Sequence, residues 1–355
     1  MSFQWPVDAQ GLFGERYPQM VNGGLPADEV DAVRAAVTEM WVDGPGGWAY
    51  EWSKLGARYA GEGAHHLAAL AYGWAKFPTL SDDAKRHAQQ RQIDEYLLAA
   101  PDFGVDFERK LLELPYLGGS TTVPVHVFAA HDLPADAPVV LASGGTDSWK
   151  IDCAGIFLQL ATRLPVRVVA FDLPGTGESS VPFTVEAGEE VMRGLIAEAR
   201  SIGGGTVLHL GISFGGYLSA RTGLAHEVDG AIVLGAPIEA AWTTTFDYGM
   251  NGIVGNMLGF DTLPTDNELT QALQDYSLRP LLDQDVNAPM LIVNGADDVH
   301  VPQHDTLVFE GRRDTEVHLI PDTGHCATSK FPEAAGYILD WLQRTLSNLA
   351  VKATS

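Results

Sequence analysis

His209-Leu-Gly-Ile-Ser213-Phe-Gly-Gly216 follows the apolar run Thr206-Val-Leu and precedes Tyr217-Leu-Ser-Ala220. Within it Gly211-Ile-Ser213-Phe-Gly215 fits G-x-S-x-G, and the flanks supply the context that pattern needs: a buried strand, "TVLHL", entering the turn and a helix, "FGGYLSARTGL", leaving it. Small residues on both sides let strand and helix pass closely, so that the serine oxygen stands outward above a sheet. A glycine-rich bend without chemistry has the same spacing. What separates the two is whether an acid and a histidine are offered further along the chain.

Both are. "LIVNGADDVHVP" (291–302) reads as another strand ending in a glycine loop and offers Asp297 and Asp298. "TEVHLIPDTGHCATS" (315–329) ends a strand with Gly324-His325 and places an imidazole on a loop beyond the sheet. The order serine, aspartate, histidine differs from the orders in the chymotrypsin and subtilisin folds. Its chemistry gives Ser213 the attack, His325 the removal and return of its proton, and the aspartate the fixing of the imidazole tautomer. Between Asp297 and Asp298, the family resemblance given below implies Asp298 through the spacing G-x-x-D-x-x-V-P from Gly295 to Pro302, leaving Asp297 to the loop surface. His300 and His304 read as loop and surface histidines, and Cys326 as a small buried filler.

Acyl transfer also needs donors for the developing oxyanion. The backbone N–H of Phe214 is the first candidate. "VVLASGGTDSWK" (139–150), a strand opening into a glycine loop, offers the second from Gly145 or Thr146, because "SGG" aligns in two ways. The loop Asp172–Ser179 in "VVAFDLPGTGESS" is glycine-rich too, but it has no G-x-x-x-x-G-K-[ST] pattern, so it reads as a tight turn rather than a phosphate cradle.

Around these motifs lie the short strands "LLELPYL", "TVPVHVFAA", "APVVLAS", "VRVVAFD", "TVLHLG", "GAIVLGA", "APMLIVNG" and "TEVHLIP". The later ones alternate with helical stretches at Cys153–Arg163, Thr184–Arg200 and Phe331–Leu346, the signature of a mostly parallel sheet covered on both faces; the first two precede any helix and suit an antiparallel edge. From Pro26 to Ala100 apolar residues recur at three- and four-residue spacings, which predicts an all-helical region with a cap at Ser81 ahead of Asp82 and Asp83. No fixed repeat period is visible there. The expected organisation is a helical domain over 1–108 and a catalytic domain over 109–355, with 236–287 as a long crossover or secondary cap over the carboxyl ends of the strands.

At 355 residues the chain is long enough for a large core. Its net charge of -24 disfavours nucleic acid and anionic membranes as partners, and no apolar run approaches a membrane span. Met1–Pro18 lacks the basic and apolar regions of an export signal, and two cysteines, Cys153 and Cys326, make no disulfide framework. A cytoplasmic protein acting on a small molecule, without cofactor or metal, is the expectation.

With these motifs the chain resembles the α/β-hydrolase superfamily from Leu112 to Leu349. More narrowly, "GGTDSWK", "FDLPGTGES", "GISFGGYLSA", "NGADDVHVP" and "PDTGHCA", after a helical segment with "YGWAKFP", resemble the group holding the fermentation-respiration switch protein, dihydroxy-pseudooxynicotine hydrolase and fungal polyketide-shortening hydrolases. That resemblance implies a helical N-terminal lid, subunits often paired as a homodimer, and a serine triad acting on esters or on carbon–carbon bonds beside a carbonyl. It implies the triad Ser213, Asp298, His325, an oxyanion hole at Phe214 and Gly145, and in some relatives an auxiliary acid, for which Glu239 is the nearest candidate beside a purely structural role. The chain departs from many members in having Ser143-Gly144 where they have His-Gly.

Trp48, Trp52, Tyr59, Tyr72 and Trp74 read chiefly as packing of the helices. Trp149, Trp242, Phe246, Tyr248, Met250 and Met257 fall in loops expected above the site and suit a moderately large apolar or aromatic substrate. The leading expectation is a hydrolase of an ester, lactone or thioester. Its alternatives are retro-Claisen cleavage of a β-diketone or aryl ketone, acyl transfer or cyclisation, and a silent ligand-binding module.

Overall fold

The computed structural model describes residues 3–243 and 246–354. The chain divides into two compact units, Met1–Phe103 with Thr245–Leu269, and Gly104–Thr244 with Thr270–Ser355. The first break falls a few residues before the 108/109 boundary read from the sequence. The second is of a different kind: the middle of the 236–287 segment is part of the helical unit.

That unit holds α1 (Ala9–Asn22), α2 (Ala27–Ala36), α3 (Trp48–Gly61), α4 (His65–Lys76) and α5 (Asp83–Ala99). Trp48, Trp52, Tyr59 and Tyr72 lie in its core with Phe13, whose ring stacks on Trp52 at a centroid distance of 5.7 Å. The α1 helix is absent from the sequence reading because Gly11, Gly14 and Pro18 interrupt its pattern; Pro18 lies inside the helix, where it has no N–H to give. Asp8 offsets part of that cost by accepting from Gln10 N and Gly11 N. At α5 the cap is Asp82, whose side chain accepts from Lys85 N, one residue beyond the expected Ser81. Ile253, from the segment read as crossover, packs with Phe3 and Trp5. Local periodicity carries no sign of a contact between residues so far apart in the chain.

The second unit is built on eight strands: β1 (Asp106–Tyr116), β2 (Gly119–Ala129), β3 (Val139–Ser143), β4 (Arg167–Phe171), β5 (Val207–Ile212), β6 (Gly230–Leu234), β7 (Met290–Gly295) and β8 (Thr315–Ile320). They form one sheet in the order β1-β2-β4-β3-β5-β6-β7-β8. The β1–β2 hairpin is antiparallel and joins β4 antiparallel; all pairs from β4 to β8 are parallel. This is the mostly parallel sheet with an antiparallel edge expected from the sequence. Every residue of β3, β5, β6 and β7 is buried, as strands covered on both faces require.

The helices between strands are α6 (Ala154–Arg163), α7 (Val185–Ile202) and α8 (Phe214–Leu224); α9 (Met250–Met257), α10 (Asp266–Leu273) and α11 (Arg279–Leu282) follow β6, and α12 (Gln303–Leu307) and α13 (Phe331–Thr354) follow β7 and β8. From β3 the chain steps one way, to β4, whereas from β5 it steps the other way, to β6. Right-handed crossovers then put α6 and α8 on opposite faces and open a crevice beyond the carboxyl ends of β3 and β5. The loops at Gly144 and Ser213 leave the sheet at that crevice.

Candidate active site

Ser213 directly follows β5 with φ 56° and ψ −124°, a conformation that costs a non-glycine residue about 1–3 kcal/mol. Its N–H donates to Leu234 O at 2.7 Å and its carbonyl accepts from Gly216 N at 2.8 Å, so backbone bonds on both sides hold the strained residue. A side chain on Gly211 would collide with the Gly215 carbonyl, which is why the turn carries small residues at both ends of the motif.

His325 lies on the loop after β8, with Nε2 2.9 Å from Ser213 Oγ and Nδ1 2.7 Å from Asp298 Oδ2. The Asp298 side chain is fully buried and that of His325 is 13% exposed. Asp298 Oδ1 accepts from His300 N at 2.8 Å and Val301 N at 3.1 Å, two donors from its own loop. Burial opposes the charge on Asp298, but the His325 imidazole and these hydrogen bonds outweigh it and hold the carboxyl down to about 2. Burial likewise opposes a charged His325, and the Asp298 carboxylate outweighs it, raising the imidazole well above the ordinary value. An ionised carboxylate only accepts, so Nδ1 carries a proton and Nε2 of the neutral ring accepts from the serine hydroxyl. Asp297 is exposed and gives only its backbone N–H, to Thr323 O at 2.9 Å. The His300 ring stands perpendicular to that of His325 at 5.4 Å, and the His300 backbone N–H donates to Asp298 Oδ1.

The loop after β3 meets Ser213 at Gly145, where a Cβ would lie 2.8 Å from Ser213 Cβ. Only glycine lets the backbone come so close. The Gly145 N–H, however, donates to Ser148 O at 2.8 Å, whereas Thr146 N has no hydrogen-bond partner among the described residues. Trp149 folds back on this loop, its Nε1 donating to Thr146 O at 3.0 Å.

Under the loop lies a buried charge cluster that the sequence reading did not find. Lys150, 1% exposed, donates its N–H to Asp172 Oδ1 at 2.8 Å, and its amine pairs with Asp172 and, at 2.7 Å, with Glu178. Burial opposes the charge on Asp172, but Lys150 outweighs it and lowers the carboxyl. The cluster therefore ties "GGTDSWK" to "FDLPGTGES", and the glycine-rich loop after β4 is occupied by protein charges rather than open to a phosphate.

The loop after β6 is held by another unforeseen acid. Asp305 on α12, 1% exposed, accepts from the backbone N–H groups of Ile238, Glu239, Ala240 and Ala241 at 2.6–3.1 Å. Replacing it by alanine strands four donors and should cost about 2–4 kcal/mol of stability in urea unfolding; a loss below 1 kcal/mol would show that the loop holds itself. Trp242 emerges from this loop, donates Nε1 to Ile238 O at 2.8 Å, and enters a ring cluster with Phe214, Tyr217, Tyr276 and Phe183. Glu239 bonds Ser277 Oγ at 2.7 Å and pairs with Arg279 at 3.3 Å. These partners draw it into the structure of its own loop.

Of the expected lining residues, Trp149 and Trp242 belong to the unit that carries Ser213. Phe246, Tyr248, Met250 and Met257 belong to the helical unit. There Tyr248 is exposed, Met257 is buried, and the Met250 sulfur accepts from Arg16 at 3.7 Å. Among the described residues no group of three His, Cys, Asp or Glu side chains is arranged to hold a metal ion, and no helix is long and apolar enough to cross a membrane.

A buried parallel sheet with a serine on a strained turn after its central strand defines a hydrolase fold, and residues 139–335 match the family model described as the alpha/beta hydrolase family. The chain belongs to that family. It is 30% identical over 223 residues to an esterase named FrsA from Vibrio vulnificus, a match covering 56% of this chain and 52% of that one. The chain thus spans about half the length of the curated relatives it matches at this level. Among solved structures, AbyA5 is similar with a TM-score of 0.80 at 22% identity, over 95% of this chain and 94% of that one. The 2,6-dihydroxy-pseudo-oxynicotine hydrolase is similar with a TM-score of 0.76 at 21% identity, over 93% and 95%. Both likenesses concern the fold.

Proposed function

We propose that this family member is a serine hydrolase in which Ser213 attacks a substrate carbonyl, His325 takes and returns its proton, and Asp298 orients His325. The continuous hydrogen-bond relay at 2.9 and 2.7 Å carries the reading. The oxyanion donors are the N–H groups of Phe214, in the first turn of α8 where the helix dipole favours negative charge, and Thr146, in place of Gly145 whose N–H is already spent.

Two bonds fit this machinery. Cleavage of a carbon–carbon bond beside a carbonyl takes precedence over the ester cleavage first expected. What supports this order is the structural likeness to AbyA5 and the dihydroxy-pseudo-oxynicotine hydrolase over 95% and 93% of the chain, against esterase matches of 30% identity over 56% of it and 24% over 85%. In that reaction Ser213 adds to the carbonyl, the carbon–carbon bond breaks, and the departing carbanion takes the proton from the His325 imidazolium; water then releases the acyl group with His325 as base. Glu239, bonded to Ser277 and Arg279, has no step in it. The ester reading differs only in the leaving group, an alkoxide. The ring cluster of Phe183, Phe214, Tyr217, Trp242 and Tyr276 beside the nucleophile supports an apolar or aromatic acyl portion.

Incubation with an ester and a β-diketone sharing one aryl-acyl group, with products identified by mass, tests this order. The diketone is expected to be cleaved at least tenfold faster in kcat/KM; a preference of that size for the ester would restore the esterase reading.

A further inference from the structure

We propose that Asn294 is a positioning residue of the relay: its amide couples the acid loop after β7 to the histidine loop after β8. The proposal rests on the reading of Ser213, Asp298 and His325 as a catalytic relay. Asn294 is 1% exposed in a strand whose other inner residues, Met290 to Val293, are apolar. An amide buried there is costly for each polar group left unpaired, so its partners are the reason it is tolerated. Nδ2 donates to Asp298 Oδ2 at 2.8 Å. Oδ1 accepts from Gly295 N at 2.8 Å and from Cys326 N at 3.0 Å. One side chain thus touches the acid and the residue next to the histidine.

The second contact falls where the backbone needs help. Cys326 and Ala327 have φ of 55° and 52°, a left-handed pair that non-glycine residues adopt only under strain. This turn aims His325, and the Cys326 N–H is anchored on Asn294. The first contact is electrostatic. Asp298 Oδ2 is shared between His325 Nδ1 and Asn294 Nδ2, so the amide proton draws off part of the charge that would otherwise hold the imidazolium. Among the described residues the other polar groups facing His325 are Ser213 from the turn after β5, His300 from the acid loop, Thr328, whose hydroxyl donates to the His325 carbonyl at 2.6 Å, and the neighbouring Cys326; of these only Cys326 also touches Asn294.

The experiment is the rate of fluorophosphonate labelling of Ser213 against pH, in wild type and in Asn294→Leu, which keeps the volume but has no polar atom. Labelling is expected to slow by about 10- to 100-fold, and its acid limb to move up by about half to one pH unit, because Asp298 without the amide holds the proton on His325 more tightly. A loosened fold alone lowers the rate without that upward shift. Where Asn294→Leu does not fold, Asn294→Ser, too short to reach Asp298, carries the same comparison. A folded variant labelled within twofold of wild type on an unshifted profile overturns the role of Asn294. A wild type that is not labelled at all overturns the relay itself, and the proposal with it.

Discussion

Replacing Ser213 by alanine is expected to lower kcat by about 10,000- to 1,000,000-fold, while KM and the unfolding transition stay close to those of wild type. The substitution removes one oxygen, the atom 2.9 Å from His325 Nε2, and leaves the His325–Asp298 bond intact. The strained turn is held by backbone bonds to Leu234 and Gly216, which alanine keeps. What activity survives comes from the oxyanion donors polarising a carbonyl toward water. Steady-state kinetics with thermal melts check the result; a variant retaining a tenth of wild-type activity would remove Ser213 from the chemistry.

Asp298→Asn is expected to cost about 10,000-fold in kcat, against less than threefold for Asp297→Asn. The geometry explains the size. His300 N and Val301 N both donate to Oδ1 against the one Asn294 amide donor at Oδ2, so an amide there is expected to place its oxygen at the Oδ1 position and its NH2 at the Oδ2 position. That NH2 faces His325 Nδ1, which must then accept, and the ring takes the tautomer that donates to Ser213 instead of accepting from it. The pH dependence carries a sign as well. In the proposed relay His325 acts as the neutral base, and Asp298 raises its pKa well above 6.5, so activity in the wild type is expected to be lost as pH falls through that raised value. Removing the carboxylate moves the acid limb to lower pH even as the maximum collapses. Equal losses for the two aspartate variants, or an unmoved limb, would break the assignment.

The sheet was legible because its signals are local, and the three residues proposed as the relay stand at equally local ones. Strands such as "APMLIVNG" announce themselves by continuous apolar burial, the elbow by glycines flanking one serine, and Asp298 and His325 by standing just past strand ends. The supports of the site were not legible, because each joins residues distant in sequence. Asp305 meets Ile238 to Ala241 across more than 60 residues, Lys150 meets Asp172 across 22, and Asn294 meets Cys326 across 32. Asp305 reads as an ordinary acid on a short polar helix until its four donors are seen. The preference for Thr146 over Gly145 proposed above rests on a bond of the same non-obvious kind, from Gly145 N to Ser148 O, which no sequence pattern announces. The segment read as a crossover or secondary cap carries no local sign that its Met- and Gly-rich helix, α9, buries Ile253 against Phe3 and Trp5 near the start of the chain.

The most direct measurement is intact-protein and peptide mass after brief incubation with a slowly released aryl-acyl substrate, quenched in acid. The expected result is one acyl group per chain, mapped to the peptide containing Ser213 and absent from Ser213→Ala. Acylation elsewhere, or turnover with no acyl group captured on the wild type when deacylation is slowed, would contradict a covalent serine mechanism.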